Sequence, residues 1–301
     1  MTPRDFARTI VELYAETGAA WLERLPTLIA HCAGRWSLTV LPPFEPLSYN
    51  YVAPAVRENG THVVLKLGVP NPELWTEIEA LRLYAGRGIV RLLEVDRERG
   101  AMLLERLEPG TPLSSLDDDE QATAIAARVM RQLWRPAPEE HAFPTVARWG
   151  AGLQRLREHF EGGCGPLPPR LVEVAEARFA EFTSSMAEPV LLHGDLHHEN
   201  ILSAERQPWL ALDPKGVVGE PAYEVGALLR NPIPRLLATP GGKQTLARRV
   251  DQLAEALGLE RARVVGWGLA QAVLSAWWCI EGHGHGWEWG VSCAELLAEL
   301  E

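Results

Sequence analysis

The chain has 301 residues, 47% hydrophobic and 23% charged, which is enough apolar content for one large core or two smaller ones and leaves no case for disorder. A formal net charge of -11 speaks against nucleic acid or an anionic membrane as the main partner; it suits a cationic small molecule, or simply a soluble protein. Cys32, Cys164, Cys279 and Cys293 form no Cys-x-x-Cys pair, Met1 to Phe6 lack a signal-peptide core, and no stretch of about 20 uncharged apolar residues occurs, so the expectation is a cytoplasmic protein with reduced thiols.

Residues 3 to 33 place Phe6, Ile10, Leu13, Trp21, Leu25 and Ile29 at helical spacing, a preface in which no chemistry is legible. Short β-branched or aromatic runs follow at Trp36 to Leu41, Tyr49 to Val56 and Thr61 to Leu67. Glu58-Asn59-Gly60-Thr61 predicts a hairpin with a type I′ turn, and the whole predicts an antiparallel sheet. Lys66 stands alone among apolar residues on the last of these strands. It either points to the solvated face of an edge strand or has an acidic partner. In the helix expected over Pro72 to Ala85, Glu77 lies about 60° from the apolar stripe and Glu79 about 140°, which makes Glu77 the better partner.

Two more strands are read at Ile89 to Val95 and Ala101 to Leu107, and Glu108-Pro109-Gly110-Thr111-Pro112 then breaks the pattern, which makes residues 105 to 112 the expected linker between lobes. The rest is mainly helical, with helices expected over residues 118 to 135, 169 to 186, 222 to 230, 243 to 257, 261 to 281 and 292 to 300. This gives an α+β chain divided into an N-terminal helical segment (1–35), a small antiparallel β lobe (36–107) and a larger helical lobe (108–301).

Between the apolar runs lies His193-Gly194-Asp195-Leu196-His197-His198-Glu199-Asn200, followed by the short strand Trp209 to Leu212 and Asp213. The spacing His-x-Asp-Leu-x-x-x-Asn is that of a kinase catalytic loop, in which the Asp receives the proton of the substrate hydroxyl and the Asn binds Mg²⁺. Asp213, at the end of its strand, is a second Mg²⁺ ligand in that reading, and Lys66 contacts the phosphates. Phosphoryl transfer asks mainly for positioning and charge neutralisation, so these residues form a sufficient set. A zinc hydrolase built on His193, Asp195, His197 and His198 would leave Asn200, Asp213 and the Lys66/Glu77 pair without roles.

These residues resemble the aminoglycoside phosphotransferases, and Leu212-Asp213-Pro214-Lys215-Gly216 with Gly219-Glu220-Pro221-Ala222-Tyr223-Glu224 is similar to the streptomycin 6-kinase and hydroxyurea-resistance kinase group. The resemblance spans roughly residues 36 to 290 and implies a bilobal protein-kinase-like fold. It implies Asp195 as catalytic base, Asn200 and Asp213 as Mg²⁺ ligands, and Lys66, paired to Glu77, on the α and β phosphates of ATP. Glu105, Arg106 and Leu107 would meet the adenine through their backbone, and Glu224 would brace the loop. No Gly-x-Gly-x-x-Gly separates the first two strands; Pro42 to Ser48 stands there, so Ser48 and nearby amides are expected over the phosphates. Lys215 either approaches the γ-phosphate or pairs with an acid such as Glu220.

The C-terminal cluster of Trp277, Trp278, Glu281, His283, His285, Trp287, Glu288 and Trp289 is the expected acceptor site. Acids pair with guanidinium or ammonium groups and indole faces attract cations, with Trp278, Glu281, His283 and Trp287 as contacts; the competing account is core packing and a solvated loop. The expectation is thus an ATP- and Mg²⁺-dependent phosphotransferase, a monomer or weak dimer without nucleic-acid or membrane partners, acting on a cationic small molecule such as streptomycin. Hydroxyurea, a sugar or an amino alcohol are alternative acceptors. A nucleotide-binding regulator without turnover is a further alternative, against which the intact Asp195 weighs.

Overall fold

Strand alternation sets the inner face of the N-terminal sheet. The computed structural model describes residues 4–232, 236 and 241–301, and the chain divides between Gly110 and Thr111 into two compact units. In the first, β1 (Leu38–Val40), β2 (Tyr51–Arg57), β3 (His62–Leu67), β4 (Leu92–Asp96) and β5 (Ala101–Glu105) form one antiparallel sheet in the order β1-β2-β3-β5-β4. Tyr51, Ala53, Leu65, Leu67 and Ala101 face Phe6, Ile10, Trp21, Leu25 and Cys32 of α1 (Arg4–Trp36). The helical preface is therefore structural, since its apolar side covers one face of the sheet and removes that face from water. It bends at Ala15, whose φ is 47°.

The opposite face carries Lys66, in register with Val52 on β2 and Met102 on β5. Because β3 lies inside the sheet, the solvated-edge alternative for Lys66 does not apply. Helix α2 (Pro72–Tyr84) starts at Asn71, whose side chain accepts from the amides of Glu73 and Leu74 at 2.8 and 3.0 Å, and ends at Ala85 in the left-handed region. The β2–β3 turn differs from the expected type I′. Gly60 has φ 84° but Asn59 does not join it at positive φ; Gly60 N–H donates to the Arg57 carbonyl and Arg57 N–H to that of Thr61. The loop thus has one more residue than the two-residue turn, with the glycine alone taking the left-handed position.

In the second unit, β7 (Arg135–Pro136) and β11 (Val217–Gly219) flank β8 (Val190–Leu192), while β9 (Ile201–Ala204) pairs with β10 (Trp209–Ala211); the remaining short strand, β6 (Pro109–Pro112), spans the division of the chain. The strands before and after the polar loop thus belong to different sheets. Among the described residues the helices include α3 (Asp119–Leu133), α4 (Val146–Gly150), α5 (Gly152–His159), α6 (Pro169–Ser185), α7 (Val225–Leu229), α8 (Gly242–Leu257), α9 (Arg261–Gly282) and α10 (Trp287–Ala298). Helix α9 is the axis of this unit: every residue from Val264 to Leu274 is buried, and α5, α6, α7, α8 and α10 pack on it. Helix α10 begins at Trp287 rather than near residue 292, because the left-handed Gly286 (φ 77°) turns the chain directly into its first turn. Among the described residues no helix is long and apolar enough to cross a membrane.

Candidate active site

In the first unit, burial decides the state of Lys66. Its side chain is 2% exposed and that of Glu77 9%, and Lys66 Nζ donates to Glu77 Oε1 at 2.6 Å. Register puts Val52, Val64, Met102 and Leu104 on the same sheet face as Lys66. These apolar neighbours follow from strand alternation once the pairing of the strands is known. Glu105 is not a free carboxylate: its Oε2 accepts the Arg91 amide at 3.0 Å, and its own amide donates to the Arg91 carbonyl at 2.9 Å. The Arg106 guanidinium stacks on Phe44, 4.6 Å from the ring centroid, and Leu107 is buried. Ser48 is exposed at the end of the Pro42 to Ser48 segment, which is tied down where Phe44 N–H donates to the Val52 carbonyl at 3.0 Å.

The second unit holds the polar loop from both ends. Glu224, in the single helical turn Pro221–Glu224, accepts the amide of His193 at 2.7 Å on Oε2 and that of Gly194 at 2.9 Å on Oε1. Burial pushes this carboxyl up to about 7, against the pull of those two amides. His193 has no exposed surface; its Nδ1 accepts the Asp195 amide at 3.3 Å, so Nε2 carries the hydrogen donated to the Leu212 carbonyl at 2.8 Å. Desolvation holds His193 down to about 4, so it is a neutral brace. Its carbonyl accepts the amides of Lys215 and Gly216 at 2.8 and 3.2 Å. His193 therefore bonds the chain on both sides of Asp213, whose φ of 59° is a strained, left-handed value for a non-glycine residue.

Asn200 donates from Nδ2 to the Asp195 carbonyl at 2.9 Å, and its own carbonyl accepts the Leu212 amide at 3.0 Å. Asp195, Asn200 and the Asp213 segment are thus parts of one hydrogen-bonded unit. The Asn200 amide spends its nitrogen on the loop and presents Oδ1, and with the Asp213 carboxylate it offers the hard oxygen donors that Mg²⁺ takes. Burial works to raise the Asp195 carboxyl, but His197, Arg230 and Lys215 hold it below the ordinary carboxylate value. His197 Nε2 lies 3.8 Å from Asp195 Oδ2 and Arg230 Nη2 lies 3.3 Å from Oδ1. Arg230 follows α7 and is absent from the sequence-based set, although an arginine closing the apolar run Val225–Leu229 is a signal.

The C-terminal residues divide. Trp278 meets Trp149 of α4 edge to face, with centroids 5.4 Å apart, and Trp149 reaches the loop itself, since a Cβ on Gly194 (φ 87°) would lie 2.9 Å from its ring. Glu281 is held by Arg155 through two bonds of 2.7 and 2.9 Å. His283 is exposed and stacks on His285 at 4.1 Å, and Trp287 is half-buried at the start of α10. The structure therefore joins Trp278, through Trp149, to the loop, and sets His283 in an exposed turn. Trp149 is also absent from the sequence-based set, because nothing in its local sequence marks it.

The family described as aminoglycoside/hydroxyurea antibiotic resistance kinase matches residues 40–282. Streptomycin 6-kinase of Streptomyces griseus is 35% identical over 289 residues, 93% of this chain and 91% of the relative. Hydroxyurea phosphotransferase of Kitasatospora aureofaciens is 35% identical over 291 residues, 93% of this chain and 80% of the relative. Among solved structures, an aminoglycoside phosphotransferase in ternary complex with ADP and hygromycin B superposes with a TM-score of 0.62 at 14% identity, covering 89% of this chain and 97% of the other. That likeness carries the fold, which is protein-kinase-like as the sequence predicts.

Proposed function

The chain belongs to the aminoglycoside/hydroxyurea antibiotic resistance kinase family, and from that premise we propose that it transfers the γ-phosphoryl group of ATP to the 6-hydroxyl of streptomycin. It is a phosphotransferase with a hydroxyl acceptor, as the family and the streptomycin 6-kinase relatives indicate. Streptomycin as acceptor rests on the 35% identity to the Streptomyces griseus enzyme over nearly the whole chain.

In this reading Asp195 takes the proton of the acceptor hydroxyl, and Lys66 neutralises phosphate charge while Glu77 fixes its ammonium. Asn200 Oδ1 and the Asp213 carboxylate would hold Mg²⁺, which supplies charge neutralisation on the nucleotide phosphates. The observation that carries phosphoryl transfer is the rigid frame around Asp195: Glu224 on two loop amides, His193 on Leu212, Asn200 on the Asp195 carbonyl. A group held this way needs little reorganisation at the moment of reaction. Ser48 and the backbone of Glu105, Arg106 and Leu107 are assigned to the nucleotide, and Trp278, Glu281, His283 and Trp287 to the acceptor side, where Trp149 is added.

Purified protein with Mg·ATP and separate reactions on streptomycin and hydroxyurea, read by mass spectrometry, tests this. A phosphorylated streptomycin is expected; no product on streptomycin overturns the proposal. Product on hydroxyurea alone selects the alternative that the Kitasatospora aureofaciens relative supports.

A further inference from the structure

Gln271 is the one amide side chain within the buried run Val264 to Leu274 of α9, and it is 1% exposed. A buried amide costs free energy unless both of its ends are bonded, and an apolar residue of the same shape would avoid that cost. Gln271 bonds both ends. Its Oε1 accepts from Arg230 Nη1, and its Nε2 donates to the Tyr223 carbonyl at 3.4 Å.

Each of those partners leads to the catalytic loop. Arg230 Nη2 bonds Asp195 Oδ1 at 3.3 Å, and Tyr223 immediately precedes Glu224, whose carboxylate carries the amides of His193 and Gly194. The amide reaches them through a gap that only glycine leaves. A Cβ on Gly226, whose backbone is helical, would lie 2.3 Å from Gln271 Oε1 and 2.7 Å from its Cδ.

We infer that Gln271 is a positioning residue for phosphoryl transfer: it fixes Arg230 on Asp195 Oδ1, so that Oδ2 is the oxygen that receives the acceptor's proton. The inference rests on the phosphotransferase reading but not on the identity of the acceptor. Gln271 touches no reacting atom. It sets the direction of the Asp195 carboxylate through one guanidinium, and a misplacement of about 1 Å costs on the order of 10²-fold in rate. A Gln that only joined α9 to α7 would support stability and leave turnover per folded molecule unchanged.

The test uses the full chain and three variants, Gln271→Met, Gly226→Ala and Arg230→Lys, with the double variant Gln271→Met/Arg230→Lys. Methionine keeps the shape and removes both bonds; Gly226→Ala displaces the amide without altering it. Expected are falls in kcat of roughly 10- to 100-fold for Gln271→Met and Gly226→Ala at saturating substrates. The KM values for nucleotide and acceptor should move less than about threefold, and the double variant should be no slower than Arg230→Lys alone, as for groups acting in series. Unchanged kcat in Gln271→Met, or additive losses in the double variant, would overturn the inference. A crystal structure of Gln271→Met decides the matter independently of any acceptor: a displaced Arg230 and a turned Asp195 carboxylate are expected, and both left in place refute the inference. Failure to phosphorylate streptomycin bears only on the acceptor, because a second acceptor or that structure still reports on Gln271.

Discussion

Lys66 and Glu77 are 2% and 9% exposed and 2.6 Å apart, so neither charge can lose its partner and turn to water. Halving such a pair typically costs about 3 to 5 kcal/mol, whereas replacing both members by apolar residues is close to neutral. Lys66→Met should therefore lower unfolding stability in urea by about that amount, and Lys66→Met/Glu77→Leu should recover most of it. Neither variant should transfer phosphate, which separates the stability of the pair from the electrostatic role of its lysine. Glu224 presents the complementary case of a buried carboxyl, raised from an ordinary 4.5 to about 7 by desolvation. Folding takes up a proton on this group, so its contribution to stability is complete below about pH 4.5 and disappears as pH rises through about 7. Glu224→Gln removes the titration. The stability difference between variant and parent should move in the variant's favour from pH 5 to pH 8, by on the order of 3 kcal/mol, in denaturant titrations at the two pH values. A constant difference would mean that Glu224 stays ionised throughout.

At the level of elements, α1 shows how an apparently idle segment supports a site. Trp21 is 1% exposed, meets Phe6 edge to face at 6.2 Å, and packs in the core that includes Leu65 and Leu67 on either side of Lys66 along β3. Trp21→Ala should cost about 3 to 5 kcal/mol in urea unfolding, a cavity penalty, and should not reduce kcat of the molecules that remain folded. The helix itself is legible in the sequence because its apolar spacing is regular, and so are the strands, whose side chains alternate. The β2–β3 turn departs from its expected type because Asn-Gly suits more than one turn and the flanking residues do not fix the loop length. The last helix starts earlier than expected because three glycines mask its beginning at Trp287. The grouping of His193, Asp195 and Asn200 is legible because they lie within eight positions of one loop, which their hydrogen bonds hold together. Arg230 and Gln271 are not, because they reach the site from 35 residues beyond Asp195 and 41 residues further on. Local periodicity marks such residues as buried or exposed but carries no information on which distant side chain they meet.

For the whole molecule, a formal net charge of -11 acts on any cationic acceptor before contact. An acceptor bearing guanidinium groups gains from this field, and the gain is lost when salt shortens the screening length from about 10 Å at 0.1 M to about 3 Å at 1 M. Hydroxyurea, being neutral, gains nothing from it. With nucleotide held at saturation, raising NaCl over that range should lower kcat/KM for streptomycin several-fold, almost wholly through KM, since the field concentrates the acceptor and does not take part in bond making. Any activity on hydroxyurea should change less than about twofold over the same range. Parallel losses for both acceptors would assign the salt effect to the nucleotide or to the fold, and would leave the charge of the chain as a matter of solubility alone.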